Sequence, residues 1–206
     1  SPETTVQAPF AGHENPYTQS KREAEAIALA SGLDIVIVRP SIVLSRGVDD
    51  RAMARSILWA MPIMIEVGEV PIDPHARVDL VPVDFVADAI LHLAQKPQLA
   101  HRLYHISAGS RSHSFTEILD IVVTTLPEYR RIRMTGPCGP RARRRRRLYA
   151  PIEAYLPFIN ASIQYAPDRL IAEIGKAGRA PRSISYVPEL LSQITLEEAV
   201  AEMARP

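Results

Sequence analysis

Tyr17 to Ser41 reads YTQSKREAEAIALASGLDIVIVRPS, and two different periodicities meet inside it. Tyr17 to Ala30 is rich in Lys, Arg, Glu and Ala. Ala24, Ile27 and Ala28, continued by Ala30 to Leu33, make an apolar face, so the segment is predicted to be a helix. Ser31-Gly32 closes it, because Gly32 can take the left-handed conformation after a helix. Leu33 to Val38 is then a β-branched run of the kind buried on both faces of a parallel sheet. Pro40 is expected to stop that strand, since it has no N–H to give to a ladder.

The alternation continues outward. Val78 to Val83 reads as extended, and Asp84 is expected to cap a helix over Phe85 to Ala94, with Val86, Ala89, Ile90 and Leu93 on one face. Leu103 to Ile106 is a further strand. Ser114 and Glu117 match a capping box opening a helix to about Leu126. Strands alternating with helices predict an α/β fold with right-handed crossovers. After Pro127 the text changes: residues 127–149 form a Pro/Gly/Arg-rich linker or loop, and residues 150–206 read as a small helical C-terminal region.

Composition narrows the classes. At 206 residues with 47% hydrophobic content, the chain can bury a sizeable core. Its net charge of +1 conceals a local run of six arginines between Arg141 and Arg147, so the remainder is net acidic. One basic patch on an acidic body is not the stripe of a nucleic-acid-binding fold. The run is expected to be a solvated segment, with contact to anionic lipid as a further expectation. The single cysteine, Cys138, excludes an intramolecular disulfide and a multi-cysteine metal site. The histidines show no zinc-ligand spacing, and no metal is expected. The longest helix-like apolar stretch, Ile57 to Val67, is interrupted by Pro62 and Glu66, and the expected location is cytoplasmic, peripheral to a membrane at most.

The residues with the most chemistry are Asn15-Pro16-Tyr17-Thr18-Gln19-Ser20-Lys21. A Tyr and a Lys four apart on a helix share a face. A tyrosine hydroxyl, with an ordinary pKa of about 10, is a poor proton donor near neutrality, and a neighbouring ammonium stabilises its phenolate. The pair can then protonate a carbonyl oxygen as hydride reaches the carbon.

Asn-x-Tyr-x-x-Ser-Lys-x-x-Ala-Glu over Asn15 to Glu25, followed by Val38-Arg39-Pro40-Ser41-Ile42-Val43, resembles the extended short-chain dehydrogenase/reductases. Arg77-Val78-Asp79-Leu80-Val81-Pro82-Val83-Asp84-Phe85-Val86 continues the likeness, which covers about the first 125 residues. The resemblance implies the C-terminal portion of a Rossmann-like NAD(P)-binding fold over residues 1–126. It makes Tyr17 the acid/base and Lys21 its helper and the holder of the nicotinamide ribose. Pro40, Ser41 and Ile42 then line the nicotinamide pocket. Within the superfamily, the wording of these motifs looks most like fatty acyl-CoA reductases and thioester-reductase domains, implying NADPH (NADH as the other form) and an acyl-CoA or acyl-carrier thioester substrate.

Nucleotide-sugar epimerases and dehydratases share the Tyr/Lys pair and are the alternative. There the matching Arg77 would grip a substrate phosphate, against the plainer expectation of a salt bridge to Asp79 or Asp84. His13 is a candidate for the substrate mouth, against a solvated loop position. Asp84 is expected to act as a cap, and Arg39 to be structural. The family's Gly-rich dinucleotide turn is missing among the nine glycines, and the family's catalytic Ser/Thr normally precedes the Tyr by more residues than stand before Tyr17. The expectation is therefore a reductase fragment whose partner is its dinucleotide-binding half, and a catalytically incompetent binding fragment is the non-enzyme reading.

Overall fold

A computed structural model describes residues 16–44, 60–137, 156–181, 184, 187–192 and 197. Helix α1 (Pro16–Ala30) ends where the sequence predicts. The hydroxyl of Ser31 donates to the Ala28 carbonyl at 2.7 Å, and Gly32 takes φ 72° to turn the chain back. Strand β1 (Ile37–Pro40) starts four residues later than expected.

Pro40 does not stop the extended run: β2 (Ile42–Leu44) follows one residue on. The ladder explains why. β1 pairs in parallel with β6 (Leu103–Ile106), Ile37 opposite Leu103 and Pro40 opposite Ile106. Ile37 N–H donates to the Arg102 carbonyl at 2.8 Å and Ser41 N–H to the Ile106 carbonyl at 3.0 Å. Alternate residues of a parallel strand bond to the same neighbour. Pro40 therefore turns its nitrogen away from β6, where no N–H is required.

At Ser41 the strand changes partner. Ile42 N–H donates to the Asp79 carbonyl at 3.1 Å, and β2 runs parallel to β5 (Leu80–Pro82). Successive side chains on these two strands then enter different cores. Ile42, Leu44 and Leu80 join a cluster with helices α2 (Ala60–Val67), α4 (Phe115–Thr125) and α7 (Val187–Ser192). Val43 and Val81 join a second cluster with α3 (Val83–Ala94), β6 and α6 (Asp168–Ile174). The Ile57 to Val67 stretch thus supplies a core helix over Ala60–Val67, with Ile63 fully buried.

Two short pairings complete the framework among the described residues. β3 (Glu69–Val70) runs parallel to β8 (Arg133–Met134), and β4 (Arg77–Val78) runs antiparallel to β7 (His113–Ser114). Helix α3 begins two residues before its expected start. Pro82 occupies the cap position and Asp84 lies in the first turn. Asp84 therefore is not the cap, and its charge near the helix N-terminus is favourable there. The capping box of α4 forms as read: Glu117 N–H donates to Ser114 Oγ at 3.1 Å, and Ser114 N–H to Glu117 Oε2 at 2.7 Å.

The C-terminal helices do not stand apart from the strands. Leu170 of α6 is fully buried against β6 and α3, while Leu156 of α5 (Leu156–Asn160) and Val187, Leu190 and Leu191 of α7 fill the other core. The Glu173 carboxylate accepts the Tyr104 hydroxyl at 2.7 Å and the Ala100 N–H at 3.0 Å, and it pairs with Lys96 at 3.3 Å. Gly109 shows how close the approach is: a Cβ there would sit 2.8 Å from the Pro167 ring. Of the C-terminal region beyond α7, only residue 197 is described.

Candidate active site

α1 and β1 are joined by the short link 31–36, so the start of the helix lies toward the carboxyl end of the strand. Glu25 and Arg39 fix the level between them. Arg39 Nε donates to Glu25 Oε2 at 3.1 Å, and the second guanidinium nitrogen meets the other carboxylate oxygen. This two-point contact, largely sheltered from solvent, makes Arg39 structural, as expected. At about 1.5 Å per helical residue and 3.3 Å per strand residue, backbone position 21 falls level with residue 41, and position 17 with residues 42–43. With α1 antiparallel to β1, this geometry would bring the helix turn bearing the Tyr/Lys motif to the end of the sheet that carries Pro40-Ser41-Ile42. Lys21 itself is exposed, and Ser41 and Ile42 are half-buried.

That end is the strand fork, and a buried polar group stitches it. Asp79 is 4% exposed. Its carbonyl accepts Ile42 N–H, and its Oδ1 accepts Ala108 N–H at 2.8 Å, so one residue ties β2 to the turn after β6. Burial raises the Asp79 pKa above the ordinary carboxylate value, against the opposing pull of the Ala108 N–H. The Ser41 hydroxyl lies beside the carboxylate and favours its charged form; Ser41 Oγ and Asp79 Oδ2 are both buried. Tyr165 closes the cluster. Its carbonyl accepts the Ser107 hydroxyl at 2.8 Å, its ring meets His105 edge-on at 5.3 Å, and burial raises its own pKa.

His105, fully enclosed in β6, is pushed down to about 4 by burial and then by the Arg39 cation. It is neutral at physiological pH. Between its ordinary value of 6.5 and about 4, the unfolded chain takes up a proton that the folded chain refuses. Stability from this residue is therefore lost as pH falls through that window, by up to about 3 kcal/mol. Asp79, with a raised value, acts in the opposite sense, losing stability as pH rises through its folded pKa. Subtracting variants separates the two. His105→Asn is expected to flatten the dependence between pH 6.5 and 4 in denaturant melts, and an unchanged slope would contradict the assignment.

The other sequence candidates fall as follows. Arg77 lies on β4, where Nε donates to Ser112 Oγ at 3.2 Å and a terminal nitrogen reaches the Ser112 and Ser110 carbonyls. These contacts replace the expected salt bridge to Asp79 or Asp84. His13, Cys138 and the Arg141 to Arg147 run lie outside the described residues, as does the side chain of Tyr17. Among the described residues, no cluster has the makings of a metal site, and no helix is long and apolar enough to cross a membrane. The group of buried Asp79 and His105 with half-buried Tyr165 was not foreseen as a unit; the signal was Asp79 standing between two apolar strand residues, Val78 and Leu80.

Parallel strand pairs β1–β6 and β2–β5, alternating along the chain with helices, define a Rossmann-like α/β fold. Comparison with known proteins places it. Residues 3–90 match the NAD-binding family model described as male sterility protein. Over 98 residues, 44% of the chain, it is 31% identical to the nonribosomal peptide synthetase asaC of Aspergillus flavus, covering 9% of that protein. A thiolation-reductase di-domain from an archaeal non-ribosomal peptide synthetase superposes with TM-score 0.59 at 20% identity, covering 98% of this chain and 43% of that one. An NAD-dependent NDP-hexosamine 5,6-dehydratase of tunicamycin biosynthesis superposes with TM-score 0.55 at 18% identity, covering 95% and 63%. The resemblance to extended short-chain dehydrogenase/reductases holds, and the chain spans less than two thirds of each of these relatives.

Proposed function

We propose that this chain is the proton-delivering, C-terminal part of an NADPH-dependent reductase of acyl thioesters. The observation that carries the reading is the two-point Glu25–Arg39 contact, which ties α1 to β1 and, on ideal geometry, would bring the Tyr17/Lys21 turn level with the Pro40-Ser41-Ile42 segment. What supports a nicotinamide there is the half-buried Ser41-Ile42 backbone at the strand ends, held in place by the buried Asp79. When bound, the cofactor supplies the hydride. Lys21 and the Ser41-Ile42 segment hold its nicotinamide end. Tyr17 gives its proton to the thioester oxygen, and Lys21 stabilises the phenolate that is left.

The substrate class is proposed from the motif resemblance together with the 31% identity to a peptide synthetase, which supports an acyl group held as a thioester. Fatty acyl-CoA and carrier-bound acyl thioesters are the two sources to compare. The nucleotide-sugar reading relies on Arg77 gripping a phosphate, and that guanidinium is already engaged with the Ser110 and Ser112 carbonyls.

The same proposal includes a dinucleotide-binding half as partner. Among the described residues β1 pairs only with β6, so the Val38 N–H and carbonyl face its other edge. Ile27 on α1 and Leu33 after it are each 72% exposed. A parallel strand and helix added at this edge would cover both. The test is NADPH oxidation by the full-length protein with acyl-CoA and with carrier-loaded acyl thioester; activity surviving Tyr17→Phe would remove the assignment.

A further inference from the structure

Asp79 is built into the strand fork more thoroughly than folding alone asks. It is almost fully enclosed, and three of its features converge on one place. Its carbonyl takes Ile42 N–H, its Oδ1 takes Ala108 N–H at 2.8 Å, and its carboxylate lies beside the buried Ser41 hydroxyl, which favours the charged form. Ser41 is the residue at which the strand leaves β6 for β5. Its N–H still belongs to Ile106, and the next N–H already belongs to Asp79.

A side chain that served only to close this fork would be cheaper apolar, since taking a carboxyl out of water costs stability. Its placement makes sense if the geometry of Ser41 and Ile42 matters. We infer that Asp79 is a positioning residue, which sets the Pro40-Ser41-Ile42 segment against the nicotinamide by fixing Ile42 through its carbonyl and Ser41 through its carboxyl group. The inference rests on the reductase reading above.

The carboxyl acts here by shape and hydrogen bonding. An amide of the same shape can accept Ala108 N–H with its oxygen and offer an N–H toward Ser41 Oγ. Asn should therefore substitute for Asp, and Ala should not. Ser41→Ala removes the other member of the pair and leaves the fork's backbone bonds in place.

The experiment uses the full-length reductase and NADPH, with two readouts per folded molecule, the folded fraction coming from melting curves. In Asp79→Ala, kcat for acyl-thioester reduction should fall roughly 10- to 100-fold, because small misplacements at a reacting centre are costly. The gain in nicotinamide fluorescence on binding should be lost, while the Kd for NADPH shifts by less than about fivefold, since most cofactor contacts lie elsewhere. Ser41→Ala should show the same pattern more weakly. Asp79→Asn should restore both readouts to within about threefold of the parent.

An Asp79→Ala protein that melts lower but keeps normal kcat and nicotinamide fluorescence would overturn the inference, leaving Asp79 a structural clamp. Asn failing as badly as Ala would also overturn it, by showing that the charge rather than the hydrogen bond matters. If Asp79→Ala does not fold, Ser41→Ala decides, and unchanged fluorescence there rejects the positioning role. Failure of the parent reading looks different: Tyr17→Phe would then keep full reduction, whatever the Asp79 variants do.

Discussion

Tyr17→Phe is expected to lower acyl-thioester reduction in the full-length protein by roughly 10²- to 10⁴-fold, the usual contribution of a positioned general acid. The substitution removes one oxygen and keeps the ring, so folding and NADPH affinity should change little. The loss should therefore lie in kcat, with KM for the thioester nearly constant, as for an interaction made in the transition state. Steady-state NADPH oxidation monitors it, and acid quench of single turnovers shows whether the chemical step is the one slowed. A drop in KM of the same size as the drop in kcat would instead mean that Tyr17 shapes ground-state binding. No drop at all would remove Tyr17 from the chemistry and take the reductase reading with it.

Leu170→Ala should be the most damaging of the core changes in the C-terminal region. Leu170 is fully buried between α3 and β6, and truncating such a leucine costs about 2–5 kcal/mol. A domain of this size is stable by only about 5–15 kcal/mol in all. The loss should appear as a lower denaturant midpoint at unchanged slope, and as one transition. That follows because α6 is tied twice to the strands. Leu170 fills the same core as Tyr104 and Ile106, and Glu173 holds the Tyr104 hydroxyl. A cost under about 1 kcal/mol, or an early separate transition for the C-terminal helices, would mean that they dock on a sheet already stable without them.

How far the sequence foretold this structure depends on which forces were local. The α1 boundary, the Gly32 turn, strand Leu103–Ile106 and the α4 capping box were readable because each rests on residues within a few positions of one another. The strand fork was not. Pro40 looked like a stop because its ladder register is set by β6, more than sixty residues away. The shift of α3's start to Val83 has a similar origin: Pro82 ends β5 and serves as the cap, so Asp84 falls inside the first turn.

The candidate site divides in the same manner. The Tyr17/Lys21 spacing and the Pro40-Ser41-Ile42 segment are contiguous and could be found by inspection. Asp79, His105 and Tyr165 come from three separate stretches, and only the fold brings them to one end of the strands. Arg77 carried a plausible charge for a phosphate, yet the turn at Ser110 to Ser112 offers it carbonyls at close range. A guanidinium's partners are decided by tertiary proximity, which spacing along the chain does not reveal.

The most direct measurement is a calorimetric titration with NADPH, repeated with NADH, of this chain alone and of the same chain joined to a dinucleotide-binding half. No detectable heat is expected for the chain alone, since its sequence has no Gly-rich turn to cradle the pyrophosphate, and clear NADPH binding is expected for the joined protein. Binding of either nucleotide by the isolated chain would contradict this expectation, because the cofactor site would then be complete without the glycine turn.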